Sequence, residues 1–425
     1  MWRATPGRTW PEPVLVISVA RFGGPEVLAG VQAADPIAGP GELVVAATAS
    51  DVLFVDTMIR SGRGVGFFPI RPPYVPGNGV AGEVISVGDG VDLGWLGRPV
   101  IAHTGGRGGG GGYAERAAVS LDDTVLVPEG LDLLLAGAII HDGPTALRIV
   151  RLADVRPLEQ VLVLGAAGGM GVLLVQLLRA RGARVIAAVR GKAKVDAVAE
   201  AGADAVIDYG QPDWTAAVLQ ATGGAGPAVV LDGVGGQLGR DAYGIIADGG
   251  RFSAHGAPSG SFSAIDQDDA RRRNVSVTGL GDLQIRPGER ADLARQLLPE
   301  VVAGKIRPLI GQTFPLAEAA RAHALMEARG AIAKTLLISA LPSRQLARVG
   351  RHAEVACCGR NLPGKLDVAR AQPADVVRHQ PHDDTRVPQV NIGMVIGGVG
   401  EAANRVDQRD PGPERPGAEV RGRHP

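Results

Sequence analysis

Residues 161–171, VLVLGAAGGMG, carry the clearest chemistry in the sequence. The apolar run 161–164 is followed at once by Gly165-Ala-Ala-Gly168-Gly169-Met170-Gly171, and residues 172–180 read as a helix with a mostly apolar surface. Glycines between a buried strand and a helix N-terminus lack Cβ atoms. Backbone N–H groups there can close on a pyrophosphate, whose charge the helix dipole favours. The pattern is a variant of G-x-G-x-x-G, and its context on both sides makes it a dinucleotide site. Ala167, Gly168, Gly169, Met170 and Gly171 are the residues expected to hold the phosphates.

Charge then decides which dinucleotide. An Asp or Glu about twenty residues past the glycines would hold ribose hydroxyls. This chain has Arg190 there, with Lys192 and Lys194 just after. A guanidinium cannot accept a hydrogen bond from a 2′-hydroxyl, but it pairs with a 2′-phosphate, so the expected cofactor is NADPH.

Other chemistries find little support. The two cysteines, Cys357 and Cys358, are adjacent and near the end, so the body has no disulfide framework and no cysteine zinc site. His103, His141 and His255 lie in the body, but no pair has metal-ligand spacing, and no metal is expected. The formal net charge of +0 over 425 residues gives no reason to expect nucleic acid or an acidic membrane as partner. No apolar run reaches the length of a membrane span. The opening MWRATPGRTWPEP lacks the apolar core of a secretory signal, so a cytoplasmic protein is expected.

The elements that must position these residues fall into two styles. Short strands are expected over 14–20, 42–48, 79–88, 98–102 and 112–119, with turns between them. The nearly all-glycine stretch 105–112 reads as a mobile loop. This is the pattern of a small β-barrel-like domain. Helices are expected over 133–140 and 145–152. From 161 onward strands and helices alternate: strands over 161–164, 183–189, 205–209, 228–232 and 250–256, helices over 172–180, 192–201 and 214–221. That order implies an α/β domain with a doubly wound parallel sheet. An edge strand over 274–280, helices over 291–303 and 316–328, and a closing strand over 334–339 complete the body. Residues 341–425 are rich in Arg, Pro, Asp and Gly without a sustained period, and read as a low-order tail.

The body resembles the zinc-independent quinone oxidoreductase branch of the medium-chain dehydrogenase/reductases. The resemblance is carried by residues 21–28 (RFGGPEVL), 56–62 (DTMIRSG), 76–84 (PGNGVAGEV), the glycine turn, and 201–209 (AGADAVIDY). It implies a Rossmann domain inserted in a GroES-like catalytic domain, usually as a homodimer. The divisions drawn are an extension over 1–13, the catalytic domain over 14–137, the NADP-binding domain over 138–270, a return to the catalytic domain over 271–340, and the tail over 341–425.

The resemblance also implies site residues. Arg190, Lys194 and Tyr209 match positions that bind the 2′-phosphate. Thr145, Asp232, Gly233, Val234, Ala254, His255, Gly256 and Leu280 match the nicotinamide end. Zinc-using relatives carry His-Glu where this chain has Asn78-Gly79, and a cysteine near Ser50. Two positions that line the substrate pocket in relatives depart from the family: the usual Asn is Leu53 and the usual Tyr is Met58. Ser50, Asp51 and Tyr113 are the available substitutes, each equally readable as structural. The expected function is an NADPH-dependent reductase of a small-molecule quinone or enone. An enoyl-thioester reductase and a weakly catalytic NADPH-binding sensor or structural protein are the alternatives.

Overall fold

The computed structural model describes residues 13–64, 68–104, 111–286 and 288–339. The tail over 341–425, nearly all of the extension over 1–13, and residues 105–110 of the glycine loop lie outside the described residues.

The chain begins with a hairpin, β1 (Val14–Val19) against β2 (Leu28–Ala33). Then comes β3 (Glu42–Val52), whose residues are buried at nearly every position because it runs through the centre of a sheet. After α1 (Phe54–Arg60) follow β4 (Gly79–Val87), β5 (Pro99–His103), β6 (Arg116–Ser120) and β7 (Thr124–Leu126). Two helices, α2 (Leu133–Gly137) and α3 (Asp142–Leu152), lead away from this region.

The alternating region consists of β8 (Gln160–Leu164), α4 (Gly169–Ala180), β9 (Arg184–Val189), α5 (Lys192–Glu200), β10 (Ala205–Asp208), α6 (Trp214–Ala221), β11 (Val229–Asp232), α7 (Gly236–Gly244), β12 (Arg251–Ala254), α8 (Gln267–Arg272) and β13 (Ser276–Thr278). All six strands pair in parallel in the order β10-β9-β8-β11-β12-β13. The order reverses direction between β8 and β11, and a crevice opens at the carboxyl ends of strands at such a point. Leu164 is level with Ala188 on one side and Asp232 on the other. The segments that follow those residues, beginning at Gly165, Val189 and Gly233, therefore line one end of the sheet.

The chain then returns through α9 (Glu289–Val302), β14 (Ile310–Pro315), α10 (Ala319–Glu327) and β15 (Lys334–Ile338). β15 pairs antiparallel with β3, placing Leu336 opposite Asp51 and Leu337 opposite Ser50. The second sheet has the order β14-β15-β3-β4-β5-β7, with β6 also on β3. One apolar core joins the two sheets: Ala81, Ile101 and Val125 from the second pack with Ile139, Ile149, Val161, Leu174 and Leu297. The joint is also polar. Ala333 N–H donates to the Ala167 carbonyl at 2.6 Å, so the glycine turn is bonded to the approach of β15.

Several elements differ from the expectations. The helix expected over 133–140 ends at Gly137, the strand over 112–119 begins only at Arg116, and the helix over 316–328 opens as a 3-10 turn over Leu316–Glu318. The parallel sheet continues to Thr278, past residue 270. The helix α7 went unread because three of its nine residues are glycine, which propensity disfavours. Tertiary packing overrides that: a Cβ on Gly239 would lie 1.8 Å from Ser263 Oγ and 2.1 Å from Asp232 Oδ2. Among the described residues no helix is long and apolar enough to cross a membrane.

Candidate active site

The glycine turn is a tight corner with an open mouth. Gly165 has φ +70°, a left-handed conformation that glycine adopts without strain. A Cβ on Gly171 would lie 2.5 Å from the Gly165 carbonyl oxygen and 2.6 Å from that of Ala166. Only glycine lets helix α4 close against the turn. Gly168 is the N-cap of α4, and it has no side chain to cap the first N–H groups. A helix start with this construction presents backbone donors and a positive dipole end to an anion. Ala167, Gly168, Gly169, Met170 and Gly171 are thus brought together in one turn, with the Ala167 carbonyl committed to Ala333.

Beside the turn, at the end of β9, three cations gather near two aromatic rings, Tyr209 and Phe54. The Arg190 guanidinium lies 5.6 Å from the centre of the Tyr209 ring. Lys194 Nζ donates to the Arg329 carbonyl at 2.7 Å. The Arg329 guanidinium packs over the Phe54 ring at 4.6 Å and donates to the Pro258 carbonyl. Burial, with Arg329 and Arg190 nearby, pulls the Lys194 ammonium below its ordinary value. Burial also pulls down Arg329, which feels Tyr209 and Arg190. Among the described residues no carboxylate lies within 4.0 Å of any of the three. Like charges held together without an ion pair form a ready anion site. Sequence reasoning missed Arg329, a lone basic residue in a loop far along the chain, at a non-glycine φ of +59°.

At the other end of the crevice the residues are more constrained. Asp232 is fully buried, and its carboxylate accepts from the N–H groups of Val234 (2.9 Å) and Gly235 (2.8 Å) and from Ser263 Oγ (2.6 Å). Its side chain shapes the turn containing Gly233 and Val234. A Cβ on Gly256 would come within 2.2 Å of the Gly233 carbonyl, so the loops after β11 and β12 meet at glycine. His255 follows Ala254 at the end of β12. Its Nδ1 contacts Ser253 Oγ at 3.2 Å, its Nε2 has no partner among the described residues, and burial pulls its value down to about 4. Leu280 opens the 3-10 turn Leu280–Leu283, partly buried. Thr145 Oγ1 donates to the His141 carbonyl at 2.8 Å and receives a long contact, 3.5 Å, from Arg290 Nη1.

The candidate acid–base residues are all interior. Ser50 Oγ donates to the Gly112 carbonyl. Asp51 Oδ2 lies 3.3 Å from Lys334 Nζ, which also holds Asp142 Oδ2 at 3.0 Å. Burial pushes Asp51 up; Lys334, despite burial, is held high by Asp142 and Asp51. Tyr113 is fully buried, its hydroxyl donating to Asp56 Oδ2 at 3.1 Å and meeting His323 Nε2 at 3.0 Å. Burial pushes Asp56 up to about 7. Asp56 and Asp142 had not been singled out from the sequence. Asp56 lies on α1, which the sequence pattern does not announce, and Asp142 lies between the two expected helices 133–140 and 145–152.

Comparison with known proteins decides the family. Residues 39–129 match the alcohol dehydrogenase GroES-like domain, and residues 201–337 match the zinc-binding dehydrogenase family. A quinone oxidoreductase of Pseudomonas aeruginosa is 32% identical over 331 residues, covering 76% of this chain and 98% of its own length. The chain belongs to the quinone oxidoreductase branch of the medium-chain dehydrogenase/reductases. It is therefore an oxidoreductase enzyme. The Escherichia coli quinone oxidoreductase complexed with NADPH superposes with a TM-score of 0.70 at 28% identity, covering 76% of this chain and 99% of that one. A mycobacterial protein complexed with NADPH gives 0.69 at 32% identity over the same shares.

Asn78 and Gly79 stand where the resemblance places the His-Glu pair of zinc-using relatives. The Asn78 amide donates to Asp56 Oδ1 at 2.9 Å. A Cβ on Gly79 would lie 2.4 Å from Ile140 Cγ2 and 3.1 Å from Asp51 Oδ1, so no side chain fits there. Leu53 is buried at the start of α1, with its N–H held by Asp56 Oδ2 at 2.9 Å, and Met58 is partly buried on the same helix.

Proposed function

We propose that this oxidoreductase uses NADPH to reduce a quinone or another α,β-unsaturated carbonyl, without zinc. The observation that carries the cofactor choice is the gathering of Arg190, Lys194 and Arg329 beside Tyr209 and Phe54, with no carboxylate within 4.0 Å of them among the described residues. A 2′-phosphate fits that site, and the uncapped start of α4 fits the pyrophosphate. When bound, NADPH would supply a hydride, with the proton drawn from solvent. The chain's own part is to orient and to exclude water. Gly233 and Gly256 let two loops close at the strand ends, and Thr145 and His255 line the expected nicotinamide end. Ser50, Asp51 and Tyr113 are all interior, so no side-chain proton donor is assigned.

Zinc independence rests on the donor set. Asn78 and Gly79 offer no ligand pair, and among the described residues no three His, Cys, Asp or Glu side chains cluster as a metal site. Purified protein is expected to hold no stoichiometric zinc by elemental analysis. One tightly held zinc per chain would overturn the reading. The substrate class is tested by following NADPH oxidation with a panel of quinones, enones and enoyl thioesters. Turnover confined to thioesters would replace quinones and enones with that class, and NADPH binding without any turnover would leave a binding protein.

A further inference from the structure

Arg290 is a cation without an ion pair within 4.0 Å among the described residues. It stands at the start of α9, partly buried, and burial pulls its value below that of an ordinary guanidinium. Among the described residues its only hydrogen bond is the 3.5 Å contact of Nη1 with Thr145 Oγ1, at the limit of such a bond. Its sequence neighbour Glu289 is turned away, accepting from Arg148 Nη1 at 3.3 Å and from the Arg286 N–H at 3.1 Å. Asp51, Asp123 and Asp142 are near enough to be felt, but none lies within 4.0 Å among the described residues. Asp51 and Asp142 share Lys334, and burial pushes Asp51 up. Both of these carboxylates are thus already paired with another cation, and the guanidinium has no ion pair within 4.0 Å among the described residues.

The surroundings fit a ligand rather than a structural pair. His103 and His141 stack with centroids 6.0 Å apart, and both are felt by Arg290. Burial pulls His103 down to about 3 and His141 well below its ordinary value, so both rings are neutral. Thr145 is a residue that the proposed function places beside the nicotinamide. Partly buried guanidinium groups are stable beside a planar anion, which they bind through two parallel bonds.

Resting on the proposed reading of this site, we infer that Arg290 anchors a carboxylate carried by the substrate, so that the enzyme selects α,β-unsaturated carbonyl compounds bearing an acid group. The carboxylate replaces the weak Thr145 contact as the partner of the guanidinium. It thereby fixes which end of the alkene faces the hydride.

The test uses 4-oxopent-2-enoate and its methyl ester, which present the same enone with and without the charge. The ratio of kcat/KM for acid over ester is expected to fall about tenfold or more in Arg290→Gln, the size of one charge-assisted contact. Arg290→Lys, which keeps the charge, should retain most of the ratio. An equal fall for both substrates in Arg290→Gln, or an unchanged ratio, overturns the assignment. A binding measurement needs no variant: calorimetry on the wild-type protein with NADP+ should show the saturated acid, 4-oxopentanoate, binding at least about tenfold tighter than its methyl ester. Equal binding overturns the inference. If neither enone is turned over, the proposed reaction fails, while the acid-over-ester binding preference still stands or falls separately.

Discussion

Charge is handled in two opposite ways on the two sides of the glycine turn. Around Tyr209, Arg190, Lys194 and Arg329 are brought together with no carboxylate partner within ion-pair distance among the described residues. Between β3, α3 and β15, Lys334 is 2% exposed and is held by two carboxylates, those of Asp51 and Asp142. Water still reaches the first group and screens its repulsion, so it can wait for an anion. The second group is beyond the reach of water, where an unpaired charge is prohibitive, so it must be complete within the protein. Lys334 and Asp142 also press on Gly169, where a Cβ would lie 2.5 Å from Asp142 Oδ2. The interior group therefore braces the turn whose mouth the exposed group flanks.

The largest effect expected from breaking this contrast is on stability. Lys334→Met leaves Asp51 and Asp142 buried without their cation, and removal of one partner from a buried pair costs about 3–5 kcal/mol. Denaturant unfolding measures it. A loss below about 1 kcal/mol would mean that the carboxylates simply take up protons and the cluster is not a brace.

A second effect is the response to acid. His103 and His323 are pulled down to about 3 and His255 to about 4, with His141 lowered as well, all by burial. Below their unfolded values near 6.5 the unfolded chain binds these protons and the folded one does not, so stability is lost as pH falls through that range. Asp56, raised to about 7, and Asp51, also raised, act in the opposite sense: their contribution is present at low pH and is lost as pH rises. The histidines outnumber the aspartates, so the protein should be less stable at pH 5 than at pH 6.5, by about 1.4 kcal/mol per pH unit for each net proton. Asp56→Asn removes a counterweight and should steepen that dependence. Thermal unfolding across pH checks both statements, and a stability that rises on acidification would refute the assignment.

The smallest expected effect is at the exposed group. Arg190→Ala should weaken NADPH binding by about tenfold, the lower range for a charge-assisted contact open to water. NADH should be nearly unaffected. Arg329→Gln should act in the same direction, because Arg329, from another segment, is near enough to feel both Tyr209 and Arg190. Arg190→Asp adds repulsion and an acceptor for ribose hydroxyls, and should move preference toward NADH. Dissociation constants for both cofactors decide the matter; equal changes in both would remove the phosphate from this site.

By itself the sequence determined what is local. Strand, glycine turn and helix follow one another within a single βαβ unit, and the cation that ends the next strand comes about twenty residues later. The alternation from residue 161 onward specified the parallel sheet for the same reason, since each hydrophobic run reports its own burial. The short helix α1 and the glycine-bearing α7 escaped that logic because packing, not propensity, makes them helical. What the tertiary structure alone decided are the meetings of distant segments. Lys194 meets Arg329 across 135 residues, Thr145 meets Arg290 across 145, and Asp51 meets Lys334 across 283. No periodicity records such pairs. They exist because β15 returns to the middle of the second sheet beside β3, and because α9 packs on α3, bringing side chains of ordinary local character into one charged neighbourhood.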